Sequence, residues 1–401
     1  MSTSNKPLQI LHIMSGFGGG ISSFIMNKAK EMPRFNVQFD ILTFDECNDE
    51  FTSAIEQTGG HIYSMSNPKK YGWETFQQEV KFAMQSEAYE IVHCHIQGYR
   101  MMPFYRLAKK YTDAKFYVHA HLAEKYTDAK FYVHAHYIKE GGMHHFVKTQ
   151  QKMNQKINTY ASTKPIGCGR EAIQAIFGKG TTGKILPNSI DETLYNWSNQ
   201  EAQAISQKIK ADYNIQPGDL VIGHIGRLNI IKNHQKTLHV LAELKRLNAA
   251  FKCLIIGSGP LEEELKNKVA ELDLEDNVIF TGRVAPIVSI LPVLDIAILP
   301  SLSEGLPTTV VETQAAGIPI LMADTITTEV DFGMGLVEAL SLDEENDIWA
   351  KALLSLSQKT IPKQQERLAI LEKVGYTNTA AGEIYVDFFT KELGIPGGAR
   401  Q

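Results

Sequence analysis

Glu304 and Glu312 stand eight residues apart in the run Ser303-Glu-Gly-Leu-Pro-Thr-Thr-Val-Val-Glu312. Two carboxylates so spaced can accept hydrogen bonds from the hydroxyls of a sugar. Positive charge comes earlier, in Gly226-Arg227-Leu228 and Lys232-Asn233-His234. Arg227 and Lys232 flanking one turn would neutralise a diphosphate, and an arginine can do so bidentately. The chemistry suggested is binding of a sugar that carries phosphate. A glycosidase also uses two carboxyls, but about 5–9.5 Å apart around a single bond. Eight helical residues would span about 12 Å, and a phosphate site serves no purpose in a hydrolase. A departing diphosphate, by contrast, needs the two cations and a helix N-terminus. No Asp-x-Asp motif follows a suitable strand, so these groups stand where a metal would act elsewhere, and neither a metal nor a cofactor is expected.

The elements that must hold these residues are legible around them. Asp295–Pro300 reads as a short buried strand, and Pro307 suits the first turn of a helix that closes at Gln314-Ala-Ala-Gly317. Strand, Gly/Pro turn and helix N-terminus form a ready anion site. Leu220–Ile225 is a second strand, followed by a helical run to Lys245. Lys252–Ile256, Gly257-Ser-Gly-Pro260, a helix over 261–272, Val278–Thr281 and Gly282-Arg-Val284 follow in turn. Such alternation predicts a parallel sheet with crossover helices. Near the start, Leu8–Ile13 is a strand ahead of Ser15-Gly-Phe-Gly-Gly-Gly20, with Ser22 or Ser23 as a candidate helix cap. Ile21 stands where the dinucleotide fingerprint needs a third glycine, and the 257–262 segment fails the same test, which argues against a nicotinamide enzyme.

With these motifs in place, the chain resembles the family 4 retaining glycosyltransferases of the GT-B fold, the type that builds capsular and exopolysaccharides. The resemblance rests on Gly226-Arg227…Lys232-Asn233, Gly257-Ser-Gly-Pro260, Phe280-Thr-Gly282 and the Glu304/Glu312 pair. Pro187-Asn-Ser-Ile-Asp191 also fits, with Ser189 where the family commonly has glycine. The resemblance implies two Rossmann-like parallel-sheet α/β domains facing across a cleft. It implies that Arg227, Lys232, the backbone at Leu306 and the Gly18-Gly19 loop meet the donor diphosphate. Glu312 would meet the ribose, backbone around Val284 the base, and Glu304 the donor sugar near the reacting face. Retention of configuration is likewise implied by the family, with the leaving phosphate assisting deprotonation of the acceptor hydroxyl. The expected partners are a nucleotide sugar and a polyprenyl-linked glycan acceptor.

Length and composition agree. For 401 residues two domains are the natural prior, and 43% hydrophobic with 21% charged residues describes an ordinary globular chain. The expected division is 1–190 on the acceptor side and 191–372 for the donor. Residues 373–401 would supply a helix crossing back to the first domain and a disordered tail from Gly394. Cys47, Cys94, Cys168 and Cys253 are scattered without a CxxC, which reads as a reducing cytosol. With a polar start and no 18-residue apolar run, neither a signal peptide nor a membrane span is expected. Residues 1–190 hold 22 Lys/Arg against 16 Asp/Glu (+6), and residues 191–401 hold 18 against 29 (−11). An acidic C-terminal half disfavours nucleic acid. The basic half suits the cytoplasmic face of an anionic membrane, although charge so diluted is also unremarkable.

One segment is written twice. Leu107–His121 and Leu122–His136 agree at 14 of 15 positions, differing only at Lys109/Glu124. Two such copies are a tandem duplication rather than a solenoid. Phe-Tyr-Val-His-Ala-His has strand character, and the family sets a His-x-His at the end of an N-domain strand facing the cleft. Only one copy can fill that place. The second copy, with His134 and His136 orienting the donor sugar, is the expected occupant, because the extra residues then lengthen a connection away from the ligands. Were the first copy the strand, they would sit beside the acceptor. Eight of the thirteen histidines lie between His93 and His145, yet four belong to the repeat and no cysteine or carboxylate completes a metal set. Apolar residues at 384, 385, 388 and 389 give the last helix its stripe.

Overall fold

The structure is a computed structural model that describes the backbone of residues 6–121 and 140–395, with the side chains of 6–121 and 149–395. Two units emerge: Met1–Ser189 with Asn378–Gln401, and Ile190–Thr377.

The first unit holds a seven-stranded parallel sheet in the order β3-β2-β1-β4-β5-β6-β7. Its strands are β1 Leu8–Ile13, β2 Val37–Thr43, β3 Ile62–Ser64, β4 Ile91–Cys94, β5 Lys115–Ala120, β6 Ile166–Gly167 and β7 Lys184–Ile185. The central strands are buried almost throughout because helices cover both faces, which is why they read as continuous apolar runs. One core cluster joins Ile10, Phe39 and Ile91 of the sheet to Phe24 of helix Gly19–Ala29 and to Tyr385 and Phe389 of helix Asn378–Leu393. That last helix therefore packs within the first unit.

The second unit holds a six-stranded parallel sheet, β10-β9-β8-β11-β12-β13. Its strands are β8 Leu220–Ile225, β9 Phe251–Ile256, β10 Val278–Gly282, β11 Ile296–Leu299, β12 Ile320–Ala323 and β13 Val337–Leu340. Leu238, Leu241 and Leu244 of helix His234–Arg246 and Trp349 of helix Asn346–Leu356 close its core. In both sheets the strand order reverses once, between β1 and β4 and between β8 and β11, and it is outside the carboxyl ends of such a switch point that sheets of this kind hold their ligand crevice.

Two expectations are corrected. Neither Ser22 nor Ser23 caps the first helix: it begins at Gly19 with Gly18 as N-cap, and Ser22 Oγ accepts from the Gly18 N–H at 2.8 Å. Gly18 has φ +109°, closed to side-chain-bearing residues, so the chain turns into the helix one turn before the serines. The second correction concerns the repeat. The strand between β4 and β6 is the first copy, β5, with His93 opposite Tyr117 and His119 opposite Ile166. The copies are identical over this strand, so propensity cannot choose between them. What differs is the connection, and the structure keeps it to Thr112–Ala114 after helix Met102–Tyr111, a far shorter loop than the second copy would need. His134 and His136 lie outside the described residues, as does the tail beyond Ile395.

Candidate functional site

In the second unit the crevice lies between the loops after β8 and β11. The β8 loop runs from Gly226 to Asn233, and the β11 loop from Pro300 to Pro307, ahead of helix Thr308–Ala316. They are tied together by Leu302 N–H donating to the Ile231 carbonyl (2.8 Å) and Asn233 Nδ2 donating to the Pro300 carbonyl (3.1 Å). Across this junction Lys232 Nζ donates to Glu304 Oε1 at 2.6 Å, with side-chain exposures of only 17% and 14%. Partial burial makes the pair worth more than a surface ion pair, and it fixes the Glu304 carboxylate beside a cation. Gly305 and Leu306, just ahead of the helix, have N–H groups with no acceptor among the described residues. That is the arrangement an anion needs. Leu306 itself is buried.

Glu312 sits one turn into the helix. Burial pushes its pKa up to about 7, opposed by the charge of Lys232, so Lys232 acts on both carboxyls. Burial, helped by the nearby Glu312 charge, holds the Tyr195 phenol protonated. Arg227 is exposed at the tip of its loop, and no side-chain partner is recorded for it among the described residues. Gly257 and Gly259 explain how that tip is held. A Cβ on Gly257 would lie 2.0 Å from the Gly226 carbonyl, and one on Gly259 2.4 Å from that of Leu228. The Gly257-Ser-Gly-Pro260 segment is thus a backbone bed for the Arg227 loop, with Leu228 N–H donating to the Ser258 carbonyl at 3.1 Å. Val284 is half-buried in the loop after β10.

In the first unit the corresponding crevice carries the Gly16–Gly20 loop after β1. Asp45 holds it: Oδ2 accepts from the Phe17 N–H at 3.0 Å, and a Cβ on Gly16 would come within 2.7 Å of the same oxygen. Gly18 and Gly19, both at positive φ, have open space where a side chain would point. Beside this loop lies a layer of imidazoles on one face of β1, β4 and β5: His12, His93, His95, His119 and His121. All are buried except His121, which is half-buried. Desolvation lowers the pKa of each, to about 3 for His12 and His121 and well below the usual imidazole range for the others. They are neutral at pH 7. Two overlapping triads, His12/His93/His95 and His95/His119/His121, have nitrogens close enough to share an ion. Among the described residues no carboxylate joins either set, so a divalent ion would enter without compensating charge.

Sequence reasoning missed several of these partners. His12 carried no signal, because its neighbours come from other strands. Tyr385 appeared only as part of an apolar stripe. Ser189, the departure from the family glycine, accepts from the fully buried Lys28 Nζ at 3.0 Å, together with the Pro187 carbonyl at 2.9 Å. Buried ammonium groups need such acceptors.

Comparison with known proteins fits this geometry. Residues 205–367 match the family described as glycosyl transferases group 1. EpsF of Bacillus subtilis, named as a glycosyltransferase, is 29% identical over 383 residues, 94% of each chain. An alpha-1,4-N-acetyl-D-galactosaminyltransferase of Campylobacter jejuni, whose name gives a PP-undecaprenol-linked glycan, is 36% identical over 108 residues, 27% of this chain and 29% of its own. Among solved structures, HepE of Anabaena in complex with UDP-glucose superposes with a TM-score of 0.73, covering 96% of this chain and 99% of HepE at 15% identity. The likeness establishes a GT-B fold.

Proposed function

We propose that this chain, whose residues 205–367 match the family described as glycosyl transferases group 1, is a retaining glycosyltransferase. It moves a hexose or N-acetylhexosamine from a UDP-sugar to a lipid-linked surface-polysaccharide acceptor, without a metal. The observation that carries this reading is the Lys232–Glu304 pair at the β8/β11 switch point, beside unpartnered backbone N–H groups at a helix start. Lys232, Arg227 and the N–H groups of Gly305 and Leu306 hold the donor diphosphate and stabilise it as it leaves. Glu312, once ionised, accepts from the ribose hydroxyls. The base lies along backbone at Val284, and Glu304 orients the donor sugar. The Gly18-Gly19 loop is a further diphosphate contact. The histidine contributed by the repeat is His121 rather than His134 or His136, because the first copy forms β5.

Peripheral membrane contact is supported by exposed Tyr71 and Trp73 beside Lys69 and Lys70, the residue types that anchor at interfaces. Among the described residues no helix is long and apolar enough to cross a membrane. Binding to vesicles with anionic lipid should be lost in Lys69→Glu/Lys70→Glu, and unchanged binding would remove this part of the reading.

The class is tested by thermal stabilisation of the protein with UDP, other nucleotides and a panel of UDP-sugars, with a chelator present. At a hundredfold excess over Kd a ligand adds about 2.7 kcal/mol. A shift with UDP and a larger one with a single UDP-sugar is expected, whereas no shift with any of them would defeat the proposal.

A second reading, a nucleotide-sugar-binding protein that the duplication has inactivated, is favoured by one observation. Residues 122–136 follow directly on the carboxyl end of β5, the end at which ligands bind in such sheets. Deleting 122–136 restores a single copy. A gain of transfer activity would support this reading, and unchanged activity would support a tolerated insertion.

A further inference from the structure

The five imidazoles do more than fill a layer. His119 Nδ1 lies 2.8 Å from His93 Nε2, and His93 Nδ1 lies 3.0 Å from the Tyr385 hydroxyl. That hydroxyl is 3.3 Å from His12 Nε2, His12 Nδ1 is 3.0 Å from His95 Nε2, and His95 Nδ1 is 2.7 Å from His121 Nε2. Six groups from three strands and the last helix are thus strung in a single line with five hydrogen bonds.

A neutral imidazole has one N–H and one bare nitrogen. His12, His93 and His95 each use both ring nitrogens, so a ring that accepts on one side must donate on the other. Tyr385 has one hydroxyl hydrogen and passes the same direction on. Were both neighbours to donate to its oxygen, that hydrogen would point into the core without an acceptor. Only two arrangements therefore make all five bonds and also leave the hydroxyl hydrogen with an acceptor. In one, every imidazole carries its hydrogen on Nδ1; in the other, every imidazole carries it on Nε2.

The ends decide between them. His119 Nε2 is buried and has no hydrogen-bond partner among the described residues. In the second arrangement it would be an orphaned N–H, and in the first a bare nitrogen. Buried orphan donors are the rarer and costlier case. The opposite end, His121, is half-buried, so an N–H on its Nδ1 can be satisfied from outside the layer.

We propose that His12, His93, His95, His119, His121 and Tyr385 form one proton-ordered chain with every imidazole hydrogen on Nδ1, so that His121 presents a fixed Nδ1–H donor at the carboxyl end of β5. Tyr385, on the final helix, is then a positioning residue for glycosyl transfer, a role that rests on the proposed function. Through the shared direction of the hydrogen bonds it helps set which nitrogen of the other rings carries hydrogen.

The tautomers are measured on the full chain by 15N NMR of the histidine rings at pH 7.5, without substrate, so that this outcome is independent of the transferase reading. All five rings of the layer should be Nδ1–H. A mixture of tautomers, an imidazolium, or a bound divalent ion with its displaced ring signals would overturn the chain. Tyr385→Phe keeps the shape and cuts the line. His93 and His119 then have two nearly equivalent arrangements and should show mixed tautomers, while His12, His95 and His121 stay Nδ1–H. If His93 and His119 are unaltered, the coupling through Tyr385 is wrong. For the catalytic half, His121→Asn keeps a donor near the Nδ1 position and His121→Gln moves it towards Nε2. The glutamine variant should lose about tenfold more kcat than the asparagine variant, the worth of one hydrogen bond. Equal losses would overturn the positioning role while leaving the chain itself intact.

Discussion

Lowering the pH from 7.5 to 5.5 should destabilise the first unit far more than the second. Each imidazole in its layer has a folded pKa pushed below the ordinary value of 6.5, so at acid pH the unfolded chain binds more protons than the folded one. Stability from such a group is present above pH 6.5 and drains away as the pH falls towards the folded pKa. For one histidine that stays neutral when folded, the loss between pH 7.5 and 5.5 is about 1.3 kcal/mol. Five give about 6 kcal/mol, somewhat less if the half-buried His121 takes a proton early. Lys28, whose folded pKa is drawn down to about 7, adds a little under 1 kcal/mol in the same direction. The second unit has two such buried histidines, His224 and His234, worth about 2.6 kcal/mol together, and His239, lowered too by desolvation but only partly buried, adds less. There Glu312 works the other way: its raised pKa means the folded state takes up a proton first, which returns about 1.9 kcal/mol. The net is about 7 kcal/mol against about 1, and the larger figure rivals the whole stability of a domain. Hydrogen exchange followed by mass spectrometry at pH 7.5 and 5.5, corrected for the intrinsic rate, reads each unit separately. Equal losses in the two units, or a loss below about 2 kcal/mol in the first, would refute the buried neutral layer.

Three further outcomes follow from the second unit. If Glu312 must be ionised to accept from the ribose, UDP affinity should rise about tenfold from pH 6 to pH 8 in isothermal titration, and Glu312→Gln should abolish that dependence. Glu304→Ala should abolish transfer while leaving the UDP-induced thermal shift nearly intact; Lys232→Ala and Arg227→Ala should weaken both, since a cation on the diphosphate is worth about 1.5–3 kcal/mol, and retained nucleotide binding in either would contradict the diphosphate role. Gly257→Ala would set a Cβ 2.0 Å from the Gly226 carbonyl at φ +149°, displacing the Arg227 loop. Its UDP affinity should fall at least tenfold with a lowered Tm, and wild-type binding would show that the bed is not needed.

How far the chain could be read without coordinates follows from what each signal measures. Buried parallel strands announce themselves as short apolar runs, and Gly/Pro turns between them mark crossovers, so the two-sheet α/β class was legible from residues 220–330 and the N-terminal strand alone. Glu304, Glu312, Arg227 and Lys232 were visible as types at loop positions because such loops follow directly on strands. That Lys232 reaches across 72 residues to Glu304 was not visible, since it depends on β8 and β11 being sheet neighbours. Nor could two identical copies be ranked as occupants of β5, because local propensity is the same in each and only the connection lengths differ. The imidazole layer is the extreme case. His12 and His93 are paired by register, and His93 and Tyr385 meet 292 residues apart only because the last helix packs against the face of the first sheet. Periodicity along a chain tells a residue which way to face within its own element; the order in which strands assemble decides what it will face.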